Sequence, residues 1–179
     1  MFKMRYLSVI LFATILMGAC KKDDPSLYTI PVTNIKFEVN PAMSAFSSHD
    51  IPINGVNFNA FNLLAAQGID TANIKSIRPR TARIYLPFAD NNLDFIKEIA
   101  IRLCLPGDNR AFCGQEAFWF DEDIQRDKGF EHILYGSNVD DLREFVITEN
   151  INIQVQLAEL WRSPTGTFEI YLDMEFDVR

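Results

Sequence analysis

The chain has 179 residues, of which 48% are hydrophobic and 23% charged, with 8 Gly and 8 Pro. That composition excludes intrinsic disorder, which needs low hydrophobicity, and a fibrous or low-complexity chain, which needs far more Gly and Pro. Asp plus Glu total 24 against 17 Lys plus Arg, a formal charge of -7; a protein that replaces counterions on phosphate carries the opposite balance, so no nucleic-acid partner is expected.

Lys3 and Arg5 make a short positive opening, and Tyr6 to Met17 is an uncharged, mostly apolar run. Gly18 and Ala19 then precede Cys20. This is the layout of a secretory signal peptide, and the run is too short for a spanning helix, which takes roughly 20 apolar residues. Met17-Gly18-Ala19-Cys20 resembles the lipobox of bacterial lipoproteins, in which the Cys becomes the lipid-carrying first residue of the mature chain; Met17 stands where that pattern usually has Leu. Lys21-Lys22-Asp23-Asp24 resembles the export signal of surface lipoproteins in Bacteroidetes-type bacteria. The resemblance covers residues 1–24. It implies a signal peptide over 1–19, a lipidated Cys20 with a tether to residue 29, and a surface-exposed protein anchored in the bacterial outer membrane. Several acyl chains, at about 0.8 kcal/mol per buried methylene, hold such an anchor stably. Loss of residues 1–19 removes Lys3 and Arg5 but no acid, leaving 15 bases against 24 acids and a formal -9. Anionic headgroups repel such a body, so the lipid and not a basic face would hold it to the membrane.

Residues 30–179 read as a single domain, since about 150 residues suffice for one core. Ile35, Phe37 and Val39 alternate with Lys36 and Glu38 before Asn40-Pro41, the mark of a strand. Asn59 to Gln67 has Ala60, Leu63 and Leu64 at helical spacing and ends at Gly68, a natural C-cap. Ile74 to Leu86 is extended, but Pro79 lacks a donor, which predicts an edge strand or a bulge. Arg78, Arg80 and Arg83 form the basic cluster of the chain. An unbroken strand puts Arg78 and Arg80 on one face and Arg83 on the other; on an edge, such charges block strand addition.

Ile99, Ile101 and Leu103 alternate with Ala100, Arg102 and Cys104, so Cys104 leaves the strand opposite the core. With Cys20 lipidated, Cys104 and Cys113 remain, and Pro106-Gly107 can turn the chain between them. In an exported protein this predicts a disulfide whose short loop contributes about 2 to 3 kcal/mol. The spacing is no zinc knuckle, His49 and His132 are far away in sequence, and no base flanks either thiol. No metal or cofactor is expected.

Ala117 to Phe120 is a short apolar strand in which Trp119 points away from Phe118 and Phe120. Either both faces are covered, or an exposed Trp stacks on a sugar or anchors a protein; Phe118, Trp119 and Phe120 are therefore the candidate ligand-binding residues. Asp121-Glu122-Asp123, followed by Asp127, lacks the Gly and terminal Glu of a calcium loop and reads as a solvated acidic loop. Asn138 to Phe145 reads as a helix capped by Asn138, with Asp140 and Asp141 in its first turn. Ile151, Ile153, Val155 and Leu157 alternate with polar residues, as do Phe168, Ile170, Leu172, Met174, Phe176 and Val178. With Trp161 and the turn residues 162–166 between them, these two strands read as a hairpin.

The pattern predicts an all-β, mainly antiparallel fold, a β-sandwich with two short helices; a lipocalin-like barrel or an α+β domain are the alternatives. No catalytic residue is assigned. Glu98, Glu116, Asp121, Glu122 and Glu131 offer carboxylates, but there is no Gly-x-Ser-x-Gly elbow and no Gly-rich phosphate loop. The expected function is a non-enzymatic binding or assembly module with a glycan or protein partner. The alternatives are a small carboxylate-dependent glycan-active enzyme and an inert structural subunit of a larger surface complex.

Overall fold

Period-two alternation builds eight strands: β1 (Tyr28–Val39), β2 (His49–Val56), β3 (Ile77–Tyr85), β4 (Ile96–Cys104), β5 (Gln115–Asp121), β6 (Glu131–Gly136), β7 (Ile151–Leu160) and β8 (Phe168–Val178). Among the described residues three short α-helices are added, α1 (Ala60–Ala66), α2 (Glu122–Gln125) and α3 (Arg143–Val146), with a 3-10 turn at Thr71–Asn73. The computed structural model describes residues 25–88, 91–108, 110, 112–125 and 129–179. The signal and anchor region 1–24, with Lys3, Arg5 and Cys20, and Asp127 of the acidic run lie outside the described residues.

All pairings are antiparallel, in one sheet of order β1-β8-β3-β6-β5-β4-β7-β2. The all-β class is as expected, and of the arrangements considered the barrel describes it best. The sheet curls until β1 and β2, its two edges, come within 8 Å of each other at Cα. Bulges supply the curvature. Register shifts fall between Val32 and Ile35, Ile53 and Val56, Pro79 and Thr81, and Ile101 and Arg102. Each bulge bends its strand and adds right-handed twist, which lets a single sheet wrap around one core. The edges do not pair. Pro31 in β1 and Pro52 in β2 withhold donors, and both strands carry a bulge, which are common defences of an exposed sheet edge.

The interior is packed with side chains. Phe58 stacks on Phe176 at 5.5 Å between ring centroids, Phe118 meets Phe176 edge-on at 5.4 Å, and Phe120 stacks on His132 at 4.4 Å. His132 is buried, and its Nε2 lies 3.2 Å from the Leu93 carbonyl, which can only accept. At the end where β8 finishes, α1 buries Ala60 and Leu64 and stops at Gly68 in the left-handed region, as its sequence predicts.

Two expectations need correction, and for β3 the structure decides between the two alternatives. β7 and β8 are not a hairpin: β7 lies between β4 and β2, and β8 between β1 and β3. Alternation identifies a half-buried strand but not its partner. At the end of β7 the Trp161 N–H donates to the Phe95 carbonyl, and the chain then crosses to the other side of the sheet. β3 is not an edge strand either; it pairs with β8 and β6. Pro79 is tolerated because pairing with β6 begins only at Thr81, the bulge alternative. Gly136 makes the close approach possible, since a Cβ there would sit 2.5 Å from the Pro79 carbonyl oxygen.

The helix expected from Asn138 starts only at Arg143. The preceding residues pair with the start of β3: the Leu142 N–H donates to the Ile77 carbonyl at 2.7 Å. The Asp141 carboxylate accepts from the N–H groups of Ile77 at 3.1 Å and Arg143 at 3.0 Å. Burial opposes ionisation of Asp141, yet these N–H groups and the Arg143 guanidinium hold its pKa below the ordinary aspartate value. A depressed carboxylate stabilises the fold fully above the unfolded pKa of about 3.9 and loses that effect as pH falls through the lower folded value. Asp141→Asn is therefore expected to unfold at lower urea than the native chain at pH 6, and the gap to narrow as pH is lowered below about 3.9. An unchanged gap would contradict the ionic origin of this link.

Candidate functional site

With Ile170, Leu172, Met174 and Phe176 facing inward, β8 turns Tyr171, Asp173 and Glu175 onto the outer wall. β3 adds Thr81, Arg83 and Tyr85, β6 adds Ile133 and Tyr135, and β5 adds Trp119. Register aligns these into three rows. Tyr171 lies opposite Tyr85, Asp173 opposite Arg83 and Ile133 beyond it, and Glu175 opposite Thr81, with Tyr135 and then Trp119 continuing that row. The result is a polar centre between two aromatic pairs. Tyr85 and Tyr171 are 5.5 Å apart at their ring centroids, and Trp119 and Tyr135 are 5.8 Å apart.

The centre is an ion pair held on two sides. Arg83 donates from Nε at 3.0 Å and Nη2 at 2.8 Å to Asp173 Oδ2. The β1 bulge brings Asn34, at φ 63°, close enough for its N–H to donate to Asp173 Oδ1 at 2.8 Å. Asp173 is only 9% exposed although it faces outward. The hydrogen bond to Asp173 outweighs burial and raises the pKa of Arg83, fixing its charge. The Arg83 guanidinium also lies 4.7 Å from the Tyr85 ring centroid, and Lys36 Nζ lies 4.7 Å from that of Tyr171, both cation–π distances. Beside the pair is a groove of about 270 Å³, with Thr33, Thr81, Ile133 and Glu175 among its walls. Tyr135 is 52% exposed and Ile133 41%.

Of the residues singled out in the sequence, Trp119 is half-buried on this wall, opposite to the core face as its strand parity requires. Phe118 and Phe120 are fully buried, so the side of this segment that a ligand can reach is that of Trp119. The three arginines do not split between faces and guard no edge. Arg80 is the extra residue of the β3 bulge, which brings all three to the outer wall. There Arg78 pairs with Asp140 at 3.1 Å, Arg80 approaches Glu175 and Asp177 at 3.7 and 3.9 Å, and Arg83 binds Asp173.

Cys104 and Cys113 form the expected disulfide, with Cα atoms 5.4 Å apart. It leaves β4 away from the core yet is buried, with Cys113 Sγ 3.5 Å from Gln154 Oε1 of β7. Gly114 closes that loop at φ +52°, where a Cβ would lie 1.8 Å from the Leu103 carbonyl oxygen. Asp108 accepts from Arg110 Nε at 2.8 Å and from the Gly114 N–H at 3.2 Å, and the Arg110 guanidinium is the main reason its pKa is lowered.

The acidic run is tied into the fold at the opposite end. Glu122 accepts from the Trp161 indole N–H, and Lys97 lies 2.9 Å from Glu159, 3.7 Å from Asp123 and 4.8 Å from the Trp161 ring centroid. Among the described residues no three His, Cys, Asp or Glu side chains converge as a metal site. None of Glu98, Glu116, Asp121, Glu122 and Glu131 lines the groove. The alternation of β8 marked its odd-numbered residues as a wet face, but nothing local in the sequence joined them to Arg83, Tyr135 and Trp119.

No protein-family model, curated protein or solved structure significantly matches the chain.

The ion pair is lopsided. Removing Asp173 strands the Asn34 N–H as well as Arg83, whereas removing half-exposed Arg83 leaves Asp173 with Asn34 and water. Asp173→Ala is expected to cost about 1 to 3 kcal/mol in urea unfolding and Arg83→Ala less than about 1 kcal/mol. Equal losses would mean that the bulge does not depend on the carboxylate.

Proposed function

We propose that this protein is a lipid-anchored lipoprotein of the bacterial outer envelope that acts as a non-enzymatic binding module through its outer wall. The observation that carries the binding part is the Arg83–Asp173 pair set between two exposed-side aromatic pairs and beside a groove. Ligand sites gather a few fixed polar groups among aromatic surface, and binding energy concentrates in Tyr, Trp and Arg. The packed interior supports the same assignment, because the aromatic core fills the space that an open barrel would offer a ligand.

The anchoring part rests on Met17-Gly18-Ala19-Cys20 behind an apolar leader, and the surface location on Lys21-Lys22-Asp23-Asp24. A glycan-active enzyme has less support. Two of the carboxylates that suggested it are engaged elsewhere, Glu122 with Trp161 and Glu116 with Arg102, 3.6 Å away, while Glu131 faces Arg83 at 3.8 Å.

Expressed in a Bacteroidetes-type host, the native chain is expected in the membrane fraction, and Cys20→Ala is expected to leave it for the soluble fraction. An impermeant protease added to intact cells should digest the native domain. A Cys20→Ala chain that stayed wholly in the membrane would remove the lipid anchor from the account, and digestion only after lysis would turn the domain toward the periplasm.

A further inference from the structure

The arrangement of polar and apolar groups on the outer wall identifies what it fits. A protein hot spot has a dry, apolar centre ringed by polar residues. Here the order is inverted: the Arg83–Asp173 pair is central, with Tyr85–Tyr171 on one side and Trp119–Tyr135 on the other. Such a surface complements a ligand that is apolar on its flat faces and polar around its edge. A pyranose ring is built this way, with C–H groups on its faces and hydroxyls around its rim. Its faces lie on aromatic rings while its hydroxyls reach paired charged groups that can donate and accept.

The polar groups suit this role. Arg83 Nη1 is 3.8 Å from Glu131, beyond hydrogen-bond length, which leaves it able to donate to a hydroxyl. Glu175 meets Arg80 only at 3.7 Å and lies on the groove wall, an acceptor for a second hydroxyl. Asp173 and Arg83 are held in place before any ligand arrives, which lowers the ordering cost of binding. The groove of about 270 Å³ is near the lower end of ligand pockets. It therefore suits one or two rings of a longer chain that continues over the aromatic surface.

Charge narrows the class further. The carboxylates Glu131, Asp140, Glu169, Asp173, Glu175 and Asp177 outnumber Lys36, Arg78, Arg80 and Arg83 here, and a sulfated or uronic glycan would be repelled. We propose that the wall between β8 and β5 binds a neutral hexopyranose oligosaccharide, with rings stacked on Trp119 and Tyr135 and hydroxyls bonded to Arg83 and Glu175. This deepens the binding-module reading and rests on it.

The test uses the full chain solubilised in a detergent without a sugar headgroup. Malto-, cello-, laminari-, manno- and chitohexaose are each titrated by calorimetry, with polygalacturonate as the anionic control. At least one neutral oligosaccharide is expected to bind and polygalacturonate is not. Trp119→Ala and Tyr135→Ala should each weaken that binding about tenfold, and Trp119→Phe should restore much of it. Trp161→Phe, off the wall where its indole meets Glu122 and Lys97, should leave it unchanged. Circular dichroism of each variant separates lost binding from lost folding, and Glu175→Gln supplies a further site variant should either aromatic substitution unfold the chain.

No binding to any of the neutral sugars, binding to polygalacturonate alone, or native-like binding by folded Trp119→Ala and Tyr135→Ala would overturn the saccharide assignment. A protein partner would then be the occupant to seek, and the lipid anchor would stand or fall on the Cys20→Ala fractionation. Release of new reducing ends from a bound sugar would instead overturn the non-enzymatic reading while leaving the binding site in place.

Discussion

Phe176 sits where the packing of the barrel converges. Phe58 closes on it from the segment before α1, and Phe118 meets it from β5 on the facing side of the sheet. An eight-stranded barrel has an interior wide enough for side chains or one small ligand, and these rings take that space. Chemistry is thereby displaced to the outside. The odd-numbered residues of β8 cannot join the core without a one-residue slip that would expose Ile170, Leu172, Met174 and Phe176. Their carboxylates and Tyr171 therefore form an outer surface, and β3 and β6 complete it by register.

Bulges then decide what that surface can do. Two residues of β1, Thr33 and Asn34, oppose Asp173 alone, and the Asn34 N–H freed from the ladder becomes the donor that holds this carboxylate. In β3 the extra residue at Arg80 brings the arginines to one face and leaves Thr81, Arg83 and Tyr85 opposite Glu175, Asp173 and Tyr171. The same irregularities that curl the sheet therefore set its polar centre. The described chain enters next to where it ends, with the Leu27 N–H on the Val178 carbonyl.

The sequence made some of this legible and concealed the rest for physical reasons. Strands with clean alternation, β1, β4, β7 and β8, were readable because one face is wholly apolar. The α1 helix was readable from Ala60, Leu64 and its Gly68 stop, and the disulfide from Cys104 and Cys113 on either side of the turn residues Pro106-Gly107. β2 escaped because Pro52, Asn54 and Gly55 dilute its pattern, and β6 because its inward residues include His132, a polar side chain in the core. Pairing was the hardest property to read. The turn residues after β7 suited a hairpin, while the actual partners of β8 lie more than eighty residues away in sequence at β3 and further at β1. The site inherited that difficulty. Trp119 was visible as a lone outward aromatic, but its neighbours Tyr135, Arg83 and Asp173 come from three other strands.

The central claim is that recognition takes place on the outer wall and not at the barrel's end or in its interior. The chain has 2 Trp residues, one on the wall and one after β7 against Glu122 and Lys97, so its two indole N–H resonances report the two places separately. The most direct measurement is a nitrogen-15 NMR titration of the full chain in sugar-free micelles with the neutral oligosaccharides. The account predicts that the Trp119 indole signal moves progressively while that of Trp161 holds still. A Trp119 signal that stays fixed under every sugar, or a shift confined to Trp161, would contradict it.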